Sequence, residues 1–197
     1  MNKTILKIEH IKKVYHDLSG EMEAIKDINL DIYDKEFLSI VGPSGCGKSS
    51  LLSILSNLST STSGKIVFDN YNVKIGYMLQ SDSLFPWRTI LDNCLIGLEI
   101  SKELTPEKRN RVIEMLNMYG LGEFIDKYPS SLSGGMKQRV ALIRTLATDP
   151  DILLLDEPFS ALDYQTRLAL SDDVYKIIRN EGKTVIMVTH DLAESIY

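Results

Sequence analysis

Apolar residues along this chain come in short runs, and the period of each run predicts an element. Phe37 to Val41, Ile75 to Leu79, Ile152 to Leu155 and Val185 to Val188 are near-continuous apolar runs bounded by polar or turn residues. Runs of that length read as strands covered on both faces. Ile28, Leu30 and Ile32 instead alternate with Asp27, Asn29 and Asp31, the period-2 pattern of a strand with one wet face, which predicts an antiparallel edge sheet near the start.

Between these runs the spacing becomes helical. Leu51, Leu52, Ile54, Leu55 and Leu58 form one stripe directly after a glycine-rich turn, and Val140, Leu142, Ile143 and Leu146 form another that ends near Thr148, before Asp149-Pro150. A third helix is punctuated at both ends, with Thr105 as N-cap, Pro106 in the first turn, apolar positions from Val112 to Met118, and Gly120 as its stop. Strands separated by helices predict an α/β fold with a mainly parallel sheet. The stretch from about 81 to 131 contains none of the strand runs and reads as an inserted helical subdomain between core segments 1–80 and 132–197.

Composition narrows the class. A chain of 197 residues with this apolar content suits one domain carrying an inserted subdomain. Lys and Arg number 22 against 27 Asp and Glu, and the net charge of -5 argues against the broad phosphate-backbone footprint of a general nucleic-acid binder. Cys46 and Cys94 are distant and lack metal-ligand spacing, so neither a disulfide framework nor a zinc site is expected, and a reducing compartment fits. The opening MNKTILKIEHIKKVYHD interleaves charge with apolar residues, unlike a signal peptide, and no stretch reaches membrane-span length. A cytoplasmic protein is expected.

The chemistry begins at Gly42-Pro43-Ser44-Gly45-Cys46-Gly47-Lys48-Ser49, which fits G-x-x-x-x-G-K-[ST] and lies after a strand run and before a helical stripe. Glycines let the backbone curl so that successive N–H groups face phosphate oxygens, Lys48 supplies a compact positive charge, and Ser49 a hydroxyl for Mg²⁺. The other strand runs end in Gln80, Asp156-Glu157 and His190. Carboxyl ends of parallel strands share one edge, so these residues are expected to meet over one nucleotide. Asp156 is placed to hold Mg²⁺, Glu157 to act as general base on a water, Gln80 to orient that water or touch the metal, and His190 to bond the γ-phosphate. Leu132-Ser133-Gly134-Gly135 opens a long helix whose free N-terminal donors make a second anion site.

With these motifs the sequence resembles the nucleotide-binding domain of ATP-binding cassette (ABC) transporters. Walker A at Gly42 to Ser49, Gln80 of the Q-loop, the signature at Leu132 to Gly135, Walker B at Ile152 to Asp156 followed by Glu157, the D-loop at Ser160-Ala161-Leu162-Asp163 and the switch His190 stand in family order across most of the chain. The resemblance implies a phosphate-loop NTPase core with an N-terminal antiparallel β-subdomain, ATP and Mg²⁺ as cofactors, and Ser50 among the nucleotide contacts. It also implies Tyr15 as the aromatic that stacks on adenine. The implied assembly is a head-to-tail dimer, with Ser133, Gly134 and Gly135 of one subunit closing over the ATP of the other. Membrane permease subunits on the inner face of the membrane, and indirectly a solute-binding protein, complete it.

Leu84-Phe85-Pro86-Trp87, Thr89 to Asn93, and Met136 resemble the ATPases of nitrate, sulfonate and taurine importers, which implies import of a small anionic solute. Phe85 and Trp87 lie either on a permease-docking surface or in the helical-subdomain core. Two departures accompany the resemblance. Lys65 to Gln80 is shorter than in such importers, and the chain stops at Tyr197, seven residues after His190, so the C-terminal end reads as truncated and a helix from Leu192 would span barely two turns. A soluble ABC ATPase acting on nucleic acid or ribosomes, an ATP-binding module without turnover, and a small-molecule kinase are the alternatives; the last leaves the Leu132 to Gly135 segment unexplained.

Overall fold

The computed structural model describes residues 3–17, 20–69, 72–160 and 164–191. In chain order these form β1 (Thr4–Asp17), β2 (Gly20–Tyr33), β3 (Phe37–Val41), α1 (Lys48–Leu55), β4 (Ser63–Phe68), β5 (Ile75–Met78), α2 (Ile90–Ile100), α3 (Pro106–Met118), α4 (Gly134–Leu146), β6 (Ile152–Asp156), α5 (Tyr164–Glu181) and β7 (Thr184–Thr189). Single 3₁₀ turns at Gly122–Phe124 and Pro129–Ser131 lead into α4.

Two sheets result. A four-stranded sheet in the order β3-β7-β6-β5 is parallel throughout, and a three-stranded antiparallel sheet has the order β2-β1-β4. Every residue of β6 and β7 is buried, as central strands covered on both faces must be. β3 departs from the expectation of full burial: it is an edge strand of this sheet, half-buried, with Val41 exposed. β5 ends at Met78, and Leu79 faces solvent. Leu58 also falls outside its predicted stripe, because α1 stops at Leu55 and the chain turns through Asn57 at φ 60°, leaving Leu58 71% exposed. α4 likewise stops at Leu146, short of Thr148.

Alternation along the central strands divides the core. Ile152, Leu154, Ile186 and Val188 face α1 and the antiparallel sheet, where Leu51, Leu52, Leu55, Leu6 and Ile8 complete one cluster. Leu153, Leu155, Val185 and Met187 face the other way, against α2, α4 and α5 through Leu91, Leu98, Ile143 and Ile177. Burying both faces of β6 and β7 holds the phosphate-loop helix and the helical segment on opposite sides of one sheet.

β1 and β4 were not legible as strands. In β1 the buried residues are Leu6, Ile8 and Ile11, so the alternation slips by one position. The slip is a bulge: register shifts separate Ile8 from Ile11, and His10 sits at φ 53° with its amide donating to Asn29 Oδ1 at 2.9 Å. Between β5 and β6 the described residues contain helices and 3₁₀ turns. α3 has the expected ends, with Thr105 accepting from the Lys108 amide and Gly120 at φ 74°.

Candidate functional site

The loop 42–47 leaves the carboxyl end of β3 and runs into α1. It is tied to the neighbouring strand where the Gly42 amide donates to the Thr189 carbonyl at 3.3 Å. The turn requires glycine at position 47: φ is +97°, and a Cβ there would lie 2.2 Å from the Ala24 carbonyl oxygen of β2. Gly45, at φ +81°, is equally left-handed but has open space around it. α1 then presents its N-terminal amides toward the loop.

Lys48 is only 7% exposed, and its Nζ donates to the carbonyls of Gly42 at 2.7 Å and Pro43 at 3.0 Å. The same ammonium lies 3.5 Å from Glu157 Oε1. Ser49 Oγ donates to Asp156 Oδ1 at 2.9 Å, joining the start of α1 to the end of β6. Ser50 accepts from the Tyr15 hydroxyl at 3.1 Å. Tyr15 therefore stands beside the start of α1, 38% exposed, with Lys13 Nζ 4.8 Å from its ring centroid; it is not a core residue.

Glu157 follows β6 at φ +44°, and its amide donates to the Val188 carbonyl at 2.9 Å. That turn directs the carboxylate over the sheet edge, where Oε2 meets His190 Nδ1 at 3.0 Å and Gln80 Nε2 at 3.4 Å. Gln80 Nε2 also donates to Ser160 Oγ at 3.2 Å. Residues from the ends of all four parallel strands thus surround one carboxylate, as the strand-end logic predicts. The hydrogen bonds of Gln80 go to Glu157 and Ser160, beside the predicted base and away from Ser49 and Asp156.

The oxygen set of Ser49 and Asp156 fits Mg²⁺, which typically takes one or two protein oxygens and completes its shell with waters and substrate phosphate. Among the described residues no group of three or more His, Cys, Asp or Glu side chains gathers as a ready-made metal cage. A donor pair of this kind is suited to a metal that arrives with a nucleotide.

Ser133, Gly134 and Gly135 open α4, with the Ser133 hydroxyl accepting from the Met136 amide at 3.3 Å. Ser133 and Gly134 are exposed, and the Ser133 cap engages one of the helix's free donors. Among the described hydrogen bonds none joins this segment to the phosphate loop of the same chain. Ala161, Leu162 and Asp163 of the D-loop lie outside the described residues, as does the helix expected from Leu192.

Two contacts escaped the sequence reading. Tyr77, hidden in an apolar strand run, donates its hydroxyl to Asp156 Oδ2 at 2.9 Å; burial first, then the adjacent carboxylate, pushes the phenol above its ordinary value. Arg144 of α4 donates to the carbonyls of Asp82 at 2.7 Å and Ser83 at 2.9 Å, bracing the segment after Gln80. That segment carries Trp87, 71% exposed and 5.5 Å from the Phe85 ring, so Trp87 is not a core residue. Asn93 fixes the segment by accepting from the Phe85 amide and donating to the carbonyls of Phe85, Arg88 and Thr89. No helix among the described residues is long and apolar enough to cross a membrane.

Known proteins match this chain over most of its length. A family profile described as ABC transporter matches residues 25–160. The chain is 44% identical to an uncharacterized ABC transporter ATP-binding protein, YtlC, of Bacillus subtilis, over 98% of this chain and 76% of the relative. It is 37% identical to the aliphatic sulfonates import ATP-binding protein SsuB of Bacillus cereus, over 96% of this chain and 76% of that protein. Among solved structures, the ATP-binding cassette MJ0796, a dimer in a post-hydrolysis state bound to ADP and Pi, superposes with a TM-score of 0.81 at 35% identity, covering 96% of this chain and 90% of that one.

Proposed function

Because the chain belongs to the ABC transporter family of ATP-binding, ATP-hydrolysing cassettes, we propose that the site over the β3-β7-β6-β5 edge hydrolyses ATP between two copies of the chain and drives a membrane importer. The observation that carries this reading is the meeting of Lys48, Gln80 and His190 around the Glu157 carboxylate.

Gly42, Pro43, Ser44, Gly45, Cys46, Gly47 and Ser50 line the nucleotide cradle, the backbone N–H groups of the residues after Pro43 facing the phosphates, and Lys48 neutralises the phosphate oxygens. Tyr15, exposed beside Ser50, stacks on the base. Ser49 and Asp156 would hold Mg²⁺, while Gln80, bonded to Glu157 and Ser160, stands where it can orient the attacking water. A metal held there would supply positive charge to the phosphate oxygens. Glu157 takes the proton of the attacking water. His190 and Gln80 hold the Glu157 carboxylate in place, since both touch its Oε2, and His190 reaches the γ-phosphate through its free edge.

Ser133 and Gly134, exposed at the head of α4, and Gly135 behind them close over the nucleotide of a partner subunit, which gives the second anion site its use. The dimeric state of MJ0796 supports this arrangement. ATP binding and hydrolysis then act as a two-state element that closes and opens the dimer. Trp87 and Phe85 suit a permease contact on the inner face of the membrane, and the kinship with a sulfonate importer supports a small anionic solute, delivered by a solute-binding protein.

The test is the Mg²⁺-ATPase rate against protein concentration. The rate is expected to rise faster than linearly and to disappear in Ser133→Arg, which obstructs the closing surface while leaving the phosphate loop untouched. A rate proportional to concentration and indifferent to Ser133→Arg would reject the shared site. For the solute, a strain lacking this cassette is expected to lose sulfonate uptake; selective loss of a cationic amine's uptake would overturn the anionic assignment.

A further inference from the structure

We propose that Tyr77 is a positioning residue for the metal-binding carboxylate, locking Asp156 so that one chosen oxygen faces Ser49; this rests on the metal-site reading given above. Both carboxylate oxygens of Asp156 are engaged, by different elements. Oδ1 accepts from Ser49 Oγ of α1 at 2.9 Å, and Oδ2 accepts from the Tyr77 hydroxyl of β5 at 2.9 Å. Asp156 is 6% exposed, so solvent offers little substitute for either donor.

Sheet register explains why the phenol arrives there. Tyr77 pairs with Leu154 in the parallel ladder between β5 and β6, and Leu154 and Asp156 share a face of β6 by their two-residue spacing. That face is covered by α1, whose Leu51, Leu52 and Leu55 pack in the same cluster as Leu154 and Tyr77. The tyrosine ring is thus part of the core while its hydroxyl is carried to the carboxylate, an apolar body with one polar end.

A carboxylate held at a single oxygen can turn about its terminal torsion, which has a broad, two-fold preference. Held at both, it keeps Oδ1 toward Ser49 and the phosphate loop. Phenylalanine at position 77 would fill the same space and pack in the same cluster, but Oδ2 would lose its donor. Partners of this kind orient metal ligands, and their loss typically weakens metal affinity by about 10–100-fold.

The experiment uses the full chain with Mn²⁺ as the probe, followed by electron paramagnetic resonance in the presence of a non-hydrolysable ATP analogue. Analogue affinity in EDTA and the melting temperature are measured in parallel. Tyr77→Phe is expected to weaken Mn²⁺ binding about ten-fold or more, with metal-free nucleotide affinity unchanged. Unchanged Mn²⁺ binding overturns the proposal, and so does an equal loss of metal-free nucleotide affinity, which would mark a merely structural role. Ser49→Ala separates the two levels. If it loses Mn²⁺ while Tyr77→Phe does not, the tyrosine assignment fails alone; if neither variant affects Mn²⁺, the metal-site reading fails and the proposal with it.

Discussion

Glu157 Oε2 and His190 Nδ1 lie 3.0 Å apart across 33 positions of chain. Their meeting follows from backbone geometry: Asp156 pairs with Val188 in the parallel ladder, and the left-handed turn at Glu157 returns its amide to the Val188 carbonyl. Both residues therefore leave adjacent strands at the same level. With a carboxylate as acceptor, Nδ1 of His190 carries the hydrogen of this bond, and Nε2 can donate to a phosphate oxygen only when it carries a hydrogen as well.

Replacing Glu157 by Gln keeps the size of the side chain and removes its basicity. ATP binding is expected to persist while turnover falls by about 10²–10⁴-fold, the usual share of a general base. Size-exclusion chromatography with ATP is expected to show an accumulated dimer. Wild-type turnover in the variant would remove Glu157 from this role.

Gly45 and Gly47 separate backbone strain from steric overlap. Both have positive φ, but only at Gly47 does a Cβ meet another backbone, at 2.2 Å from Ala24 O. Gly45→Ala is expected to cost about 1–2 kcal/mol, whereas Gly47→Ala costs more and shifts α1 away from β2, weakening ATP binding. Thermal melting and nucleotide titration of the two variants check the order; equal losses would contradict it.

The two thiols differ in reach. Cys94 is fully buried, and burial pushes its thiol up to about 12, while Cys46 is exposed in the phosphate loop. A thiolate-directed reagent at pH 8 is expected to modify one cysteine per native chain and two after unfolding in guanidinium. Saturating ATP slows the native reaction if the loop cradles phosphate; protection of neither thiol would argue against that placement.

Asp149, between α4 and β6, accepts from Lys183 Nζ of the α5–β7 turn at 2.7 Å and lies 3.4 Å from Arg111 of α3. The Lys183 hydrogen bond, ahead of an opposing burial effect, holds its carboxyl below the ordinary value. A depressed carboxyl contributes stability above its unfolded value of about 3.9, and that contribution is lost as pH falls through the lower folded value. Because the side chain is half exposed, Asp149→Asn is expected to cost less than about 1 kcal/mol at pH 7. Asparagine accepts the left-handed φ of 54° at this position, so the charge is what changes. Urea unfolding at pH 7 and at about pH 3 is expected to show the difference shrinking at the lower value; a pH-independent difference would assign it to packing.

Much of this site was written in local sequence. The phosphate loop, Asp156-Glu157, and the caps Thr105 and Gly120 are specified by residues within a few positions of each other, where backbone conformation and hydrogen bonding are settled by near neighbours. Apolar runs identified the central strands for the same reason, since periodicity records how many faces of an element are covered. Periodicity failed at β1, where the bulge at His10 shifts the pattern by one residue and makes a long strand look irregular. Tertiary structure alone decided that β7 lies between β3 and β6, that β3 is consequently at an edge, and that Tyr77 reaches Asp156 while Gln80 reaches Glu157. Contacts across a parallel sheet join residues many positions apart, and their identity depends on strand order and register, which are fixed only when both faces of the sheet are packed.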